Sequence, residues 1–199
     1  MIPAEEEAWS KRRWESFVGM LRRVRETNSF QRERFSQLAE CDDWEGFEDF
    51  VSACPFTTKD ELARDREKTP PYGTNLTFAP ERYSHFHQTS GTLGNPMAWL
   101  DTQEGWDWML ANWTCVLEAA EVDPGARCYF AFSFGPFLGF WTAYGAARKR
   151  GCLCMPGGGQ GTEQRLRAIL EHEAEYLFCT PTYALRLAEV AETAGIDLD

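Results

Sequence analysis

The sequence contains little that would suit a membrane, a secretion route or a nucleic acid. No uninterrupted apolar run approaches the roughly 18 residues of a membrane-spanning helix, so a membrane protein is not expected. The opening segment, MIPAEEEAWS, is acidic where a secretory signal peptide is basic and then apolar. Positive charge is scarce: 20 Lys and Arg residues against 31 Asp and Glu residues leave a net charge of -11, the opposite of what nucleic acids attract. These absences predict a cytoplasmic protein that binds neither nucleic acid nor membrane.

A cysteine pattern typical of a disulfide framework or a metal site is also missing. The seven cysteines are odd in number and scattered, mostly among apolar neighbours, as expected of reduced thiols that pack like small hydrophobic residues. Cys152 and Cys154 would point to the same side of a strand, but two further ligands at zinc-site spacing do not lie near them. Nothing supports a metal role for His85 and His87 either. We therefore predict no metal site.

The composition, with 43% hydrophobic and 26% charged residues, is that of a globular protein of one domain, or one domain with a helical appendage. Residues 5–40 carry apolar side chains at helical spacing, surrounded by basic ones. The apolar positions are Trp14, Phe17, Leu21 and Val24. This spacing predicts an amphipathic helix with a solvated basic face; a membrane-surface or partner-binding face is the alternative.

Residues 41–80 predict one short helix and a connector. Either Thr57 or Thr58 can cap a helix that Lys59 begins, and TPPYGTNLTFAP has the composition of a loop. We therefore divide the chain into an N-terminal helical and connector segment, residues 1–80, and an α/β subdomain, residues 81–199.

The subdomain opens with a predicted hairpin. RYSHFH and PMAWLD indicate two short strands that flank the loop HQTSGTLGNP. Asp101 and Glu104 then predict the N-cap and first turn of a helix that runs to about Glu121.

Three further strands alternate with helices. The strands lie within DPGARCYFAF, GCLCMP and AEYLFCTP, and the helices between them are FLGFWTAYGAARKR and GTEQRLRAILEHE, the second capped by Thr162. A last helix is stopped by Gly195. Helices of this length between strands form right-handed crossovers, so we predict an α/β fold with a mainly parallel sheet.

The hairpin loop has the chemistry of an anion site. Hydroxyl groups of Thr89, Ser90 and Thr92, with backbone N-H groups and unobstructed glycines, could bind the oxygens of a triphosphate. The loop has neither the Walker spacing nor the G-x-G-x-x-G pattern of dinucleotide sites. On this chemistry alone, a polar hairpin turn is an equal alternative.

HFHQTSGTLGNP resembles the phosphate loop of the adenylate-forming, acyl-activating superfamily, and its flanks narrow the resemblance to the phenylacetate-CoA ligase branch. The matching segments occur in the order of that branch: PFTTKDEL, FGPFLGF, AYGAARKRGC, MPGGGQGTEQRL and CTPTYALRLAEVAETAGID. The resemblance covers residues 15–199. It implies the N-terminal portion of the large domain of such a ligase.

The resemblance implies an AMP-forming ligase whose substrates are ATP with Mg²⁺, a carboxylic acid, here an aromatic one, and coenzyme A. The acid attacks ATP to give an acyl-adenylate and pyrophosphate, and the thiol of coenzyme A then displaces AMP. The residues implied to hold the β- and γ-phosphates are Thr89, Ser90, Gly91, Thr92, Gly94 and Asn95. Leu93 and Asn95 stand where the branch has threonine and lysine, and His85 where it has arginine, so weaker phosphate binding is expected.

The resemblance also implies an acyl pocket. Phe132, Phe134, Phe137, Phe140 and Trp141 form an aromatic cluster similar to the segment that lines it, although an aromatic cluster also suits a core. We predict substrate contacts for Phe134, Phe137 and Phe140. Tyr183, which follows a strand at the edge where α/β sheets bind ligands, is predicted to contact the acyl group or the nucleotide.

The branch's adenine pocket, ribose-binding aspartate, magnesium-binding glutamate and catalytic lysine belong to segments not found in this sequence. We therefore expect no catalytic residue here and no complete half-reaction. The alternatives are a noncatalytic module that binds phosphates or an acyl ligand, and an interaction subunit. The expected partners are a second copy of the chain, as a homodimer, or a missing C-terminal half.

Overall fold

The computed structural model describes residues 4–38, 43–89 and 96–197, with side chains from residue 9 onward. The chain divides into two compact units, Met1–Tyr83 and Ser84–Asp199. Within the described ranges, no helix is both long and apolar enough to cross a membrane. That the second unit carries a phosphate site, as the sequence suggests, stays a prediction.

The first unit is helical. Helix α1 spans Ala4–Thr27 and α2 spans Ser29–Arg34, so the amphipathic helix predicted for residues 5–40 is confirmed but ends earlier. The chain breaks at Asn28, whose side-chain oxygen accepts a hydrogen bond from the backbone N-H of Gln31 and so caps α2. The core of this unit consists of Val18, Leu21, Phe35 and Trp44.

The segment predicted as a connector contains two helices, α3 over Phe47–Ala53 and α4 over Lys59–Lys68. The prediction of a single short helix in this segment was therefore wrong, because α3 also forms; its N-cap Gly46 makes no side-chain hydrogen bond. Thr58 is confirmed as the cap of α4. Its side-chain oxygen accepts from the backbone N-H of Glu61, while the Glu61 carboxylate accepts from the backbone N-H of Thr58.

The second unit has the predicted alternation. It consists of β1 (Tyr83–Gln88, beginning at the unit boundary), β2 (Ala98–Thr102), α5 (Gln103–Ala119), β3 (Arg127–Phe130), α6 (Leu138–Arg150), β4 (Leu153–Pro156), α7 (Thr162–Glu171), β5 (Tyr176–Phe178) and α8 (Pro181–Ala194). Strands β1 and β2 pair with each other, and the other three form a parallel sheet in the order β4-β3-β5. The predicted α/β fold with a parallel sheet is confirmed.

Strand β3 is the centre of the core. Its residues Cys128, Tyr129 and Phe130 are no more than 2% exposed, since the strand has a neighbour on each side. The small residues Ala143, Ala146 and Ala147 of α6 pack into the same core. Because β3 is buried at the centre of the sheet, its carboxyl end has a fixed position, and the loop that follows it begins there.

Two predicted helix caps are each displaced by one residue. The N-cap of α5 is Thr102, whose hydroxyl accepts from the backbone N-H of Gly105 at 3.1 Å, whereas Asp101 is still in β2. The N-cap of α7 is Gly161, and Thr162 is already helical. Gly195 is confirmed as the stop of α8, because its φ of 62° lies in the left-handed region that glycine tolerates.

Candidate functional site

Of the residues predicted to hold phosphates, only Thr89 is described; Ser90, Gly91, Thr92, Gly94 and Asn95 lie outside the described residues. The backbone N-H of Thr89 donates to the carbonyl of Met97, and its hydroxyl oxygen accepts from the backbone N-H of Met97, both at 3.0 Å. The amide of Thr89 is therefore used within the protein. Its hydroxyl proton is the group left for a ligand.

The end of β1 also contacts the loop that follows β3. The backbone N-H of Gln88 donates to the carbonyl of Pro136 at 2.7 Å. This hydrogen bond places the first residues of the predicted phosphate loop beside residues 131–137, the aromatic segment predicted to line the acyl pocket. The described start of the predicted phosphate loop and the aromatic segment are thus neighbours at one point of the fold.

The loop after β3 contributes to an open pocket of about 300 Å³. The side chain of Phe134 contacts the rings of Trp141 and Tyr144 edge to face, with ring centroids 5.1 and 5.5 Å apart. The indole N-H of Trp141 donates to the carbonyl of Gly135 at 3.0 Å, which fixes the indole in the wall. The residues that line the pocket are Phe134, Trp141, Tyr144, Pro156 and Gly158.

Phe134 is the predicted substrate contact that lines this pocket. Phe140 stacks instead on Phe132, with ring centroids 4.1 Å apart, and Phe137 packs against the edge of Phe140. Neither Phe137 nor Phe140 is among the residues that line the pocket. Tyr144 was missed by the sequence analysis, although its position three residues after Trp141 on the same helix would have indicated a shared face.

A second segment, the turn after β4, closes the other side of the pocket. A Cβ atom at Gly157 would lie 2.8 Å from the hydroxyl oxygen of Tyr129, so only glycine fits without displacing that buried ring. At Gly158, a Cβ atom would contact the ring of Phe134 at 3.6 Å. The turn and the aromatic loop therefore pack closely at the carboxyl edge of the parallel sheet, where open α/β sheets bind ligands.

Arg165 on α7 joins these two segments. It is 8% exposed, and its guanidinium donates to the carbonyls of Gly157 (3.0 Å), Ala131 (3.1 Å) and Phe132 (3.4 Å). Its Cζ atom lies 5.1 Å from the centroid of the Tyr183 ring, a cation-π contact.

Tyr183, predicted as a ligand contact, donates its hydroxyl proton to the hydroxyl oxygen of Thr162 at 3.2 Å. It packs under Arg165 and is not among the residues that line the pocket. Burial raises the pKa of the neighbouring Tyr129 phenol, with the positive charge of Arg165 opposing the shift.

His87 lies two residues before Thr89 and is 6% exposed. Its ring and that of His85 lie nearly parallel to the indole of Trp106, with centroids 5.1 and 4.4 Å away. Burial lowers the pKa of His87, with Asp101 opposing the shift, so the imidazole is neutral at pH 7. Among the described residues, neither ring nitrogen of His87 has a hydrogen-bond partner.

The described cysteines are free thiols, and Cys41 lies outside the described residues. Burial raises the pKa of Cys128 to about 12 and that of Cys154 to about 11, so both are protonated at neutral pH. No group of three or more His, Cys, Asp or Glu side chains that could hold a metal ion occurs in the part of the chain that the structure describes.

Comparison with known proteins gives curated relatives but no matching family model. Phenylacetate-coenzyme A ligase of Pseudomonas putida is 32% identical over 171 residues, which cover 83% of this chain and 37% of that protein. The enzyme of the same name from Thermus thermophilus is 32% identical over 152 residues, covering 76% of this chain and 33% of that protein. The chain thus spans about a third of the length of the curated relatives it matches.

Solved structures share the fold. An open conformation of 2-hydroxyisobutyryl-CoA ligase, in complex with 2-HIB-AMP and CoA, superposes with a TM-score of 0.88 at 22% identity, over 98% of this chain and 45% of that one. The same ligase, in complex with 2-HIB-AMP and CoA in the thioesterification state, superposes with a TM-score of 0.88 at 23% identity, over 98% of this chain and 41% of that one. By sequence, the chain is therefore related to the phenylacetate-CoA ligase branch of the adenylate-forming enzymes, and its α/β fold is that of part of a CoA ligase.

Proposed function

We propose that this chain supplies the phosphate loop and part of the acid pocket of an AMP-forming ligase that joins an aromatic carboxylic acid to coenzyme A. The observation that carries the proposal is the 2.7 Å hydrogen bond from Gln88 N-H to the carbonyl of Pro136, because it brings the start of the loop beside the aromatic segment. Adenylation needs this juxtaposition, since the acid must meet the nucleotide. The names of the curated relatives support the reaction.

The reaction has two steps. A carboxylate oxygen of the acid attacks the α-phosphorus of ATP, which breaks the bond to the β-phosphate and yields the acyl-adenylate and pyrophosphate. The sulfur of coenzyme A then attacks the acyl carbon, the thioester forms and AMP leaves, while the thiol proton goes to solvent. The acid supplies its own nucleophile, so the protein has to position the reactants and stabilise charge.

The loop would hold the β- and γ-phosphates through Ser90, Gly91, Thr92, Gly94 and Asn95. Thr89 would contribute only through its hydroxyl proton, because its amide bonds to Met97. Mg²⁺, the usual counter-ion of ATP, would be held mainly by the phosphates and water, and it is assigned no step here.

The pocket would hold the ring of the acid. Its volume of about 300 Å³ lies at the lower end of ligand sites, which suits one aromatic ring, and Phe134 and Trp141 offer ring faces and edges to it. Phe137 and Phe140 would support this wall from behind. Contact of Tyr183 with substrate or nucleotide stays a prediction, as does every contact of the loop.

A noncatalytic interaction module is the second candidate. Among the described strands, β5 lies at an edge of the parallel sheet, and its Leu177 is 44% exposed. An apolar residue exposed on an edge suits a sheet that pairs with a further strand, from a continuation of the same protein, a second copy or another chain. The same edge is compatible with the ligase, which would need such an extension to complete its site.

Calorimetry of the purified chain tests the proposal. Titration of ATP with Mg²⁺, AMP and phenylacetate should give heat with ATP and with phenylacetate. Thr92→Ala should weaken the binding of ATP, and Trp141→Ala should weaken the binding of phenylacetate. Trp108→Ala, which removes a 69% exposed indole from α5, is the matched control and should change neither. Absence of heat with all three ligands would contradict the proposal and favour the interaction module.

A further inference from the structure

We infer that Arg165 is a positioning residue that gives the pocket its preference for a carboxylate over a neutral ligand of the same shape, an inference that rests on the proposed function of the pocket. Arg165 joins the two segments that form the pocket and carries an unbalanced positive charge beside them. Neither the predicted phosphate loop nor the aromatic residues of the pocket provide this linkage or this charge.

Arg165 connects the two segments that form the pocket. The guanidinium donates to Ala131 and Phe132 on one side and to Gly157 on the other. Phe134 and Gly158, which line the pocket, follow these acceptors by one to three residues. Arg165 therefore fixes the separation of the two walls. A lysine could not bond to both segments in this way, because its ammonium is a point donor without the planar fork of a guanidinium.

The positive charge of Arg165 is buried. Arg165 is 8% exposed, and no acidic side chain among the described residues forms an ion pair with it. Three of its five N-H groups are used in the bonds to carbonyls, and the face of the Tyr183 ring covers it. A buried cation is costly unless an anion balances it.

Arg165 also lies near the ends of two strands of the parallel sheet. The carbonyls that Arg165 binds lie where β3 and β4 end, at the carboxyl edge of the parallel sheet. Ligands of α/β proteins bind at this edge. The carboxylate of an acid whose ring lies in the pocket would supply a balancing negative charge at this edge of the sheet.

The test compares phenylacetate with phenylacetamide, which has nearly the same shape but no charge. Titration of each into the 199-residue chain should show tighter binding of phenylacetate by about tenfold, the effect of one unit charge over roughly 10 Å at an effective dielectric near 20. Arg165→Met should reduce that ratio to about one. Arg165→Lys should keep the ratio above one while weakening both ligands, because the charge stays and the separation of the walls is lost.

Arg167→Met is the matched control, since Arg167 lies on the same helix but is exposed and paired with Glu163; it should leave the ratio unchanged. Raising the salt concentration on the unaltered chain tests the charge without any variant and should lower the ratio. Equal binding of the two ligands by the unaltered chain, or an unchanged ratio in a folded Arg165→Met, would overturn the inference but leave the pocket. Failure of both ligands to bind would overturn the proposed function as well.

Discussion

The ring centroid of Phe134 lies 5.1 Å from that of Trp141. The backbone of Phe134 has a φ of 50°, in the left-handed region that a bulky residue rarely adopts. Such a conformation costs on the order of 1 kcal/mol or more and persists only where the surroundings impose it. Contacts with Trp141 and Tyr144 supply that constraint. Strain of this kind is typical of binding sites.

This strain separates stability from binding. Phe134→Gly should give a chain about 1 kcal/mol more stable than Phe134→Ala, because glycine tolerates the positive φ and alanine does not. Both variants should lose affinity for phenylacetate, since both lack the ring. Urea unfolding and calorimetry measure the two effects. An alanine variant at least as stable as the glycine variant would show that the backbone is not strained there.

The phosphate loop offers a gain-of-function test. Asn95→Lys introduces a cation where the resemblance to the phenylacetate-CoA ligases implies a lysine. A charged hydrogen bond contributes about 1.5 to 3 kcal/mol and a neutral one about 0.5 to 1.5, so binding of ATP should tighten by about tenfold. The gain should shrink as salt is added. Asn112→Lys, at an exposed position of α5, adds the same charge away from the loop and should leave ATP binding unchanged; no gain with Asn95→Lys would argue against phosphate binding at this loop.

His87 predicts how stability depends on pH. Its pKa is lowered in the folded protein, so the unfolded chain binds a proton more readily as the pH falls. The resulting stabilisation of the folded state is present above the unfolded pKa of about 6.5 and is lost as the pH falls toward the lower folded value. Urea unfolding from pH 7.5 to 4.5, as approximate limits, should show this loss in the unaltered chain.

His87→Phe should remove that part of the pH dependence, because phenylalanine keeps the stacking on Trp106 without a titrating group. It should cost little stability at pH 7, since both ring nitrogens lack partners among the described residues. His172→Gln, at the exposed end of α7, is the control and should keep the dependence. An identical pH profile in His87→Phe would contradict the assignment.

The cap of α4 can be tested with adjacent threonines. Thr58→Ala should lower the free energy of unfolding by about 1 kcal/mol, because it removes the acceptor for the Glu61 backbone N-H. Thr57→Ala, one residue earlier, should have a much smaller effect, since Thr58 is the cap. Urea unfolding measures both, and equal losses would show that the capping contact contributes nothing specific.

The order of strands and helices could be predicted from the sequence, because apolar runs and turn residues alternate along the second unit. Helix boundaries were less certain: the caps of α5 and α7 each differ by one residue, since backbone conformation decides the cap where several polar residues are adjacent. Helix α3 was missed because Gly46 caps it without a side chain. The local sequence offers the acidic residues Glu48 and Asp49 of the first turn, a weaker start signal than a capping side chain.

Within the candidate site, the aromatic segment was predictable but its arrangement was not. Composition indicated a cluster, yet whether Phe134 or Phe140 faces the pocket depends on the loop conformation after β3. Arg165 could not have been selected at all, because an arginine on a helix is usually exposed. Only the packing of α7 onto the ends of two strands reveals its burial.

The strand order β4-β3-β5 leaves Leu153 and Leu177, 58% and 44% exposed, on the two outer strands. Each outer strand has one partner among the described residues, and its remaining backbone groups can accept another. In concentrated preparations, we therefore expect the isolated chain to lose solubility through strand addition. Solubilising substitutions belong first at these two leucines, because their side chains are exposed even though their strands pair directly with the buried strand β3.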